Sequence, residues 1–522
     1  MILAALRTPD IVVLFVYFAL LIGAGFYFRK RSGTVEGFTV ANRSLPGWVV
    51  GLSVFGTYLS SNTFIGVPGK AYGSNWNGFV FSLSLPIAAF IAVKWFVPFY
   101  RQHAGLSAYE HLEKRFGAWA RVYAVVCYLL TQVSRVGTIM FGVSVGLHAL
   151  TGWDIATIIV FSGAAVTLYT LMGGIEAVIW TDAIQSVVLT VGAAVVVVLV
   201  LTGMPEGAGQ AIRLADDAGK FSLGDFGPSL ATSTFWVILM YGVIMNLTNF
   251  GIDQNFVQRY HAAESDKAAG RSVWFGSLVY IPVALMFFFI GSILFSYGEA
   301  NPEFLAEVKL EMVAADSPGL AKSSAEAMRL AGELEPSDYG DKVLPHFIAN
   351  KIPAGLAGLL IAALFAAAMS SIDTSLNSSA TIALQDFYRR WVRQDADEAQ
   401  SLRFLRVMTV VWGIIGTGVA LAMMGVESIL DAWWKLSGVF AGGMLGLFLL
   451  GFISRRANNA GAVTGATVGL LVILWLTFST GLTGDLEWLR SPFHAHMTSV
   501  IGTLSIFLIG LGASQVFGRK SD

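Results

Sequence analysis

Apolar residues recur along the whole chain in windows of about twenty, each bounded by charged residues, glycine or proline. A window of this length matches a helix that crosses the hydrocarbon core of a bilayer. The short alternating strands of an outer-membrane barrel do not recur. The pattern therefore predicts an all-α polytopic membrane protein.

About thirteen transmembrane helices are predicted from these windows. Numbered from zero, the spans begin near residues 10, 45, 76, 119, 154, 178, 232, 271, 346, 404, 428, 459 and 496. Span 0 is not a typical cleaved signal peptide, because its positive charges (Arg29, Lys30 and Arg31) follow the apolar run. We expect it to stay in the mature protein.

Composition supports this class and excludes others. Of the 522 residues, 55% are hydrophobic and 13% are charged, about half the charged fraction of soluble domains. The net charge of -1 gives no reason to expect nucleic acid as a partner. The single cysteine, Cys127, cannot form an internal disulfide. No GxxxxGK[ST] phosphate loop is present, so uphill transport would need an ion gradient.

The histidines argue against an embedded enzyme, because all of them fall near span ends or in loops. A serine hydrolase without a buried base, or a zinc site without clustered histidines, lacks essential groups. We therefore expect no enzymatic activity. A passive channel or a sensor remains an alternative class.

Basic residues indicate the orientation, because cytoplasmic loops carry an excess of Lys and Arg. With the N-terminus outside, the cytoplasmic loops carry Arg29, Lys30, Arg31, Arg43, Arg101, Lys114, Arg115, Arg121, Arg259, Lys267, Arg271, Arg389, Arg390, Arg393, Arg455 and Arg456, and the C-terminus adds Arg519 and Lys520. The opposite loops are short or acidic. An N-out, C-in protein of the cell (inner) membrane is predicted. The acidic outer loop, residues 299–345, is predicted to be a surface lid or a helical hairpin, with a purely solvated loop as the alternative.

Span 8 is polar where a membrane helix should be apolar. An ionisable group in hydrocarbon costs at least about 2.5–3.5 kcal/mol, so a carboxylate with hydroxyls one turn away is typical of an ion path. The alternative is that the hydroxyls bond to carbonyls of their own helix. The polar residues are Ser370, Ser371, Asp373, Thr374, Ser375, Asn377, Ser378 and Ser379.

Spans 1 and 6 are predicted to be interrupted, because both carry Gly and polar residues in mid-membrane. Carbonyls freed at such a break are ready ligands for Na⁺. Close helix packing through the glycines is the alternative for span 1. The two weak spans lie five apart, which suggests paired five-helix repeats.

Arg135 lies in the middle of span 3, too deep to reach an interface comfortably. A buried guanidinium needs a carboxylate or an equivalent partner. Arg135 either binds the carboxylate of an acidic substrate or pairs permanently with Asp182, Asp253 or Asp373. Lys435 in span 10 is interpreted as an interfacial charge, with a substrate-facing role as the alternative.

Several motifs resemble the sodium:solute symporter family. They are GGIEAVIWTDAIQ at residues 173–185, PAGLAG at 353–358, AAMSS at 367–371 and LNS at 376–378. Within that family, KAY at 70–72, SRV at 134–136, VQRY at 257–260 and DA at 431–432 look most like the bacterial sialic acid transporters.

The resemblance implies a LeuT-type inverted-repeat (5+5) bundle that forms a single transporter domain over residues 1–522. An extra N-terminal helix would span residues 10–28, the first repeat 45–203 and the second repeat 232–453. Two C-terminal helices would span residues 459–516.

The resemblance also implies site residues. The main sodium site would comprise the carbonyls of Gly56, Leu59 and Ala367 with the hydroxyls of Ser370 and Ser371. A second sodium site would use Asp182, Ser370, Asp373 and Thr374. The implied substrate contacts are Ser60, Thr63, Arg135 and Phe250, together with Ser82 and Asp253 at positions that differ from the family pattern.

These differences bear on specificity. Ser82 stands where the sialic acid branch has glutamine, Gly78 replaces an aromatic residue, and Asp253 and Asp373 replace serines. Asp373 would make the second site more acidic, giving tighter Na⁺ binding or a shared proton. The sequence therefore predicts a Na⁺-coupled symporter, with one or two ions, for a small carboxylate-bearing solute such as a sialic acid, sugar acid or organic acid. A neutral-sugar or amino-acid symporter of the same family is the alternative.

Overall fold

The computed structural model describes residues 7–60, 62–103, 105–317, 320–321, 323–425 and 443–517. Regular structure within these ranges is helical, and one isolated bridge joins Leu45 to Ala263. The predicted start of span 10 near residue 428, with the DA motif at 431–432 and Lys435, lies outside the described residues, as do Arg519 and Lys520.

The helices of the first half follow the predicted windows closely. They are α1 Thr8–Phe28, α2 Val35–Val40, α3 Gly47–Tyr58, α4 Val67–Gly73, α5 Val80–Leu83, α6 Leu85–Ile91, α7 Val97–Gln102, α8 Glu110–Phe116, α9 Ala118–Thr151, α10 Ile155–Thr202 and α11 Ala208–Asp217. Single turns of 3-10 helix form Ala41–Arg43 and Trp76–Phe79, and π-helical turns form Asn62–Gly66 and Ala92–Phe96.

The second half contains both long apolar helices and a segment of shorter helices between residues 302 and 351. Its helices are α12 Phe235–Ile252, α13 Gln254–Ala262, α14 Asp266–Ala300, α15 Pro302–Asp316, α16 Ala325–Glu333, α17 Pro336–Lys351, α18 Leu356–Ile382, α19 Glu398–Ala422, α20 Met444–Ile453, α21 Asn459–Phe478 and α22 Met497–Phe517. A π-helical stretch, Ala383–Val392, extends α18, and 3-10 turns form Met423–Gly425, Ser479–Gly481 and Gly484–Leu489.

Ten helical segments in the described ranges are long and apolar enough to cross a membrane. One of them, α10, has 48 residues and contains both predicted spans 4 and 5. It bends at Gly174, whose φ of 55° suits glycine and whose missing Cβ leaves room for the backbone of Phe38. The total of about thirteen spans stays a prediction.

Both predicted interruptions are confirmed. α3 ends at Tyr58, and Leu59 is extended (φ -86°, ψ 124°) before the chain resumes as helix. α12 ends at Ile252, and Asp253 is extended (φ -79°, ψ 119°) before α13. Span 1 is therefore α3 followed by α4, and span 6 is α12 followed by α13. At the break in span 6 the carbonyls of Phe250, Gly251 and Ile252 accept hydrogen bonds from tyrosine hydroxyls.

The described residues of the segment 299–345 are largely helical, so the prediction of a purely solvated loop is wrong. α17 packs against α4, the second half of span 1. Gly69 and Gly340 permit this contact, because a Cβ on Gly340 would lie 2.6 Å from the carbonyl oxygen of Gly69. The segment thus covers one half of an interrupted span. The predicted start of span 8 near residue 346 is wrong, because Pro353 separates α17 from α18, which begins at Leu356.

α18 lies at the centre of the bundle and packs against α10, α9 and α1. It is buried at nearly every position from Leu360 to Ile382, including all of its polar side chains. α1 is peripheral, with Phe15 74% exposed on its outer face, as expected for a lipid-facing surface. The polar cluster of span 8 is therefore enclosed by protein and does not face lipid.

One basic residue was assigned to the wrong environment. Arg259, counted above among the cytoplasmic-loop charges, lies on α13 and is completely buried. The segment 254–262 has no long apolar run, so it resembles a loop in sequence. The break at Asp253 places it inside the bundle.

Candidate cation and substrate site

Span 8 contacts the interrupted end of α3 through two neighbouring serines. The Ser370 hydroxyl donates to the carbonyl of Gly56 at 3.5 Å and to that of Ala367 at 3.4 Å. The Ser371 hydroxyl donates to the carbonyl of Leu59 at 3.4 Å. The structure thus brings together all five oxygens expected at the main sodium site.

The spacing of these oxygens suits a small hard cation. The hydroxyl–carbonyl distances are well beyond the usual 2.7–2.8 Å or so of an O–H···O hydrogen bond. Oxygens at adjacent corners of an octahedron, each about 2.3–2.6 Å from an ion the size of Ca²⁺ or Na⁺, lie about 3.3–3.7 Å apart. The serines and Leu59 are each at most 2% exposed. A bound ion would therefore exchange its water for protein oxygens.

Not every hydroxyl of span 8 is available for an ion. The Ser375 hydroxyl donates to the carbonyl of Ser371 and to Gln132 Oε1, both at 2.8 Å, and Thr381 donates to the carbonyl of Asn377 at 2.9 Å. The alternative of hydroxyls bonded within their own helix therefore holds for part of the cluster.

The second set of predicted ligands surrounds a buried ion pair. Arg259 Nη2 donates to Asp182 Oδ2 and to Thr374 Oγ1, both at 2.7 Å. Its Nε donates to Ser53 Oγ at 2.8 Å, and Ser53 donates to the same Asp182 oxygen at 2.5 Å. Arg259, on the second half of span 6, thus links the first half of span 1 to spans 5 and 8.

Asp182 retains binding capacity beside this ion pair. Its Oδ1 is buried and has no hydrogen-bond partner among the described residues. Asp373 directly precedes Thr374, which accepts a hydrogen bond from the same Arg259 nitrogen as Asp182. Asp373 Oδ2 accepts a hydrogen bond from the Tyr169 hydroxyl at 2.7 Å. Asp182 is thus paired with the guanidinium, whereas Asp373 is bonded to a neutral hydroxyl, an arrangement that favours an additional cation or a proton near Asp373.

Arg135 does not form the permanent ion pair that was one of its two interpretations. Its Nη2 donates to the carbonyl of Thr57 at 3.0 Å, and within the described ranges it has no ion pair with Asp182, Asp253 or Asp373. The guanidinium lies half-buried beside the break in span 1.

The other predicted substrate contacts lie at different depths. Ser60 is half-buried, and its backbone N–H donates to Thr63 Oγ1 at 3.3 Å. Asp253 is half-buried and caps α13 through the backbone N–H of Asn255 at 2.8 Å. Phe250 is fully buried against Tyr58, with ring centroids 5.9 Å apart. Ser82 is 3% exposed on α5, and no hydrogen bond described here joins it to Arg135.

Three contributors were not identified from the sequence: Arg259, Ser53 and Tyr169. Arg259 resembled a loop charge, while Ser53 and Tyr169 are isolated polar groups in apolar spans. The separation of Arg259 from the break at Asp253, less than two helical turns, was the one signal that could have placed it in the membrane.

Two interrupted helices, carbonyls exposed at one break and hydroxyls from a central buried helix define an ion-coupled membrane transporter. The chain belongs to the sodium:solute symporter family, whose model matches residues 38–469. It is therefore a membrane protein of a transporter family.

Two bacterial relatives match almost end to end. The sodium/sialic acid symporter NanT of Aliivibrio fischeri is 32% identical, over 98% of this chain and 94% of the relative. The sodium/sialic acid symporter SiaT of Proteus mirabilis is also 32% identical, over 97% and 94%. The human sodium-coupled monocarboxylate transporter 1 is 24% identical, over 90% and 73%.

Solved structures agree on the fold. A structure described as the substrate-bound outward-open state of a Na⁺-coupled sialic acid symporter covers 98% of both chains, with a TM-score of 0.85 and 30% identity. The nucleobase-cation-symport-1 family transporter Mhp1 matches at 17% identity over 92% of this chain and 94% of its own, with a TM-score of 0.56. The predicted fold class, an all-α membrane protein of LeuT type, is confirmed.

Proposed function

We propose that this protein is a Na⁺-coupled symporter that imports a small carboxylate-bearing solute by alternating access. The observation that carries the proposal is the contact of Ser370 and Ser371 with the carbonyls of Gly56 and Leu59. These oxygens come from two different helices, so an ion bound between them stabilises one relative position of the helices. Ion binding can thereby bias the conformational equilibrium.

Sodium is proposed to bind at the carbonyls of Gly56, Leu59 and Ala367 and the hydroxyls of Ser370 and Ser371. A second cation is proposed to bind at the free Oδ1 of Asp182, with Ser370, Asp373 and Thr374. The buried, unpartnered oxygen of Asp182 supports this second site. Arg259 already neutralises part of the charge there, so we expect weaker binding than two free carboxylates would give.

The substrate is proposed to bind beside the break in span 1, with its carboxylate on Arg135. Arginine offers a planar fork of donors that matches a carboxylate, and Arg135 is not neutralised by an ion pair in the described part of the chain. Ser60 and Thr63 would bind the polar groups of the substrate, and Ser82, Phe250 and Asp253 would bound the pocket. The names of the bacterial relatives favour a sialic acid, and that of the human relative a monocarboxylate.

The electrochemical gradient of Na⁺ sets the free energy that is available to drive uptake. A tenfold Na⁺ gradient supplies about 1.4 kcal/mol, and 100 mV adds about 2.3 kcal/mol per charge, so one ion offers roughly 3.7 kcal/mol. That supports several-hundred-fold accumulation, less the cost of moving an anion against a negative interior. For a monoanion, one Na⁺ gives electroneutral transport and two give a current. Current recorded on proteoliposomes during uptake therefore decides the stoichiometry.

The remaining features form part of the same proposal. The repeats are placed at residues 45–203 and 232–453, preceded by the helix at 10–28 and followed by two helices at 459–516. The protein is placed in the cell (inner) membrane with its N-terminus outside and its C-terminus in the cytoplasm, in line with the basic loops. It is proposed to bind lipid, sodium and a small solute, and not to be an enzyme.

A ligand panel measured by thermal shift tests the function. The purified protein is heated in NaCl or choline chloride with a sialic acid, other sugar acids, small monocarboxylates, neutral sugars and amino acids. We expect stabilisation by Na⁺ alone and further stabilisation by an acidic ligand only when Na⁺ is present. Stabilisation by a neutral ligand alone would overturn the substrate assignment, and identical curves in both salts would overturn the coupling.

A further inference from the structure

The N-terminal helix α1 lies outside both proposed repeats, yet it packs against the two helices that supply acidic and hydroxyl groups to the cation sites. These are α10, which carries Asp182, and α18, which carries Ser370 and Ser371. Its outer face is exposed, so its structural contribution comes from its inner face. Two polar side chains on that inner face contact α18 directly.

The first of these is Asp10, which caps α18 from a separate helix. Asp10 Oδ1 accepts hydrogen bonds from the backbone N–H groups of Gly355 and Gly358, both at 2.7 Å, and the residue is only 2% exposed. Helix α18 has no side-chain cap of its own, because its N-cap residue is Gly355 with φ of 86°. Two of the unsatisfied donors at its start are therefore satisfied by α1.

The close approach of the two helices depends on a glycine. A Cβ on Gly358 would lie 2.6 Å from Asp10 Cα, so any larger residue there would push α1 away. Arg7 Nη2 adds a third contact at the same end, donating to the carbonyl of Ile352 at 3.1 Å. The N-terminal end of α18 is thus fixed by specific hydrogen bonds as well as by apolar packing.

The second residue is Tyr17, two turns further along α1. Its hydroxyl approaches Met369 Sδ at 4.0 Å and accepts a hydrogen bond from Gln185 Nε2 at 3.2 Å. Met369 immediately precedes Ser370, and Gln185 lies three residues after Asp182. Tyr17 therefore connects spans 5 and 8 at the level of both proposed cation sites.

We propose that α1 is a positioning element for the cation sites, with Asp10 fixing the axial position of α18 and Tyr17 fixing its rotation relative to span 5. This inference rests on the proposed function. A rotation or shift of a rigid helix moves every side chain on it, so the Ser370 and Ser371 hydroxyls would leave the carbonyls of α3. Neither Asp10 nor Tyr17 needs to touch the ion.

The test measures the half-saturating Na⁺ concentration of the full-length protein, by Na⁺-dependent thermal shift and by uptake into proteoliposomes. Asp10→Ala removes both hydrogen bonds, and Asp10→Asn keeps an acceptor oxygen. We expect Asp10→Ala to raise the half-saturating concentration about fivefold, the size expected from loss of a helix cap. Asp10→Asn should restore most of the wild-type value.

Asp397 offers a matched control, because it caps α19 through the backbone N–H of Gln400 at 2.7 Å, on an exposed surface. Asp397→Ala should lower the melting temperature without changing Na⁺ half-saturation. If Asp10→Ala behaves in the same way, the positioning role is refuted. Should Asp10→Ala fail to fold, Tyr17→Phe, which removes only a hydroxyl, must show the shift or the inference fails.

The wild-type protein separates this inference from the proposed function. If wild type shows no Na⁺-dependent stabilisation, the proposed function and the inference fail together. If wild type responds to Na⁺ and the α1 variants respond identically, the inference alone fails.

Discussion

The hydroxyl of Ser371 provides the sharpest test of the proposed sodium site. It is 1% exposed, and its 3.4 Å contact with the carbonyl of Leu59 is a poor hydrogen bond. Replacing Ser371 with Ala should therefore cost the ion-free protein less than about 1 kcal/mol. The same hydroxyl in contact with a buried cation should contribute about 1.5–3 kcal/mol to the free energy of Na⁺ binding, because polar contacts with a charge are stronger than contacts between neutral groups.

That difference sets the expected magnitude. A loss of 1.5–3 kcal/mol corresponds to about a 10- to 150-fold increase in the Na⁺ concentration for half-maximal binding. A water molecule can partly replace the missing hydroxyl as an ion ligand, so we expect the half-saturating Na⁺ concentration to rise about tenfold. Tracer uptake into proteoliposomes, measured over a range of Na⁺ concentrations with choline as the replacement ion, gives this value directly.

Ser375 provides the control on the same helix. It is equally buried, but its hydroxyl bonds to the carbonyl of Ser371 and to Gln132, so it is not a proposed ligand. Ser375→Ala should leave Na⁺ half-saturation within about twofold of wild type, since it removes no ion contact. Equal half-saturation values for Ser371→Ala, Ser375→Ala and wild type would refute the assignment.

Three further predictions follow from the structure. Arg135→Ala should abolish thermal stabilisation by the acidic ligand but keep the stabilisation that Na⁺ gives without ligand. If expression falls and ligand affinity is unchanged, Arg135 has a structural role. Arg259→Met should destabilise the protein by about 3–5 kcal/mol, because it leaves Asp182 buried and unpaired. Adding Asp182→Asn should recover part of this loss. If the melting temperature of the double variant in choline equals the sum of the two single effects, the pairing is contradicted. Gly465→Ala should lower the melting temperature without affecting Na⁺ half-saturation, because its Cβ would lie 2.6 Å from the carbonyl oxygen of Ile506. Gly512→Ala is the control: Gly512 has open space around it, so the melting temperature of this variant should stay near that of wild type.

The sequence was most informative where polar residues or glycines occur within an apolar membrane span. Polar residues in span 8 and glycines in span 1 are costly in a membrane, so their presence predicted a buried polar site and an interrupted helix. The structure confirms the interruption at Leu59 and brings Ser370 and Ser371 to it. The ligand roles themselves stay predictions.

The sequence was least informative about which charged side chains form ion pairs with each other. Arg135 has a deep position and a carbonyl partner, whereas Arg259 resembled a loop charge and proved to be the buried partner of Asp182. A charge pattern gives the depth of a residue only when the surrounding helix is recognised. The half-helix α13 is too short and too polar for its membrane position to be read from hydropathy.

Membrane insertion, the approximate spans and the two weak helices were determined by the sequence alone, because they depend on the local free energy of placing each window in hydrocarbon. The partner of each buried group, the capping of α18 by Asp10 and the distance between the serines and the carbonyls of α3 were decided only by the tertiary structure. These features join residues that are between 77 and 345 positions apart in the chain. Their geometry depends on how whole helices pack, and no local window contains that information.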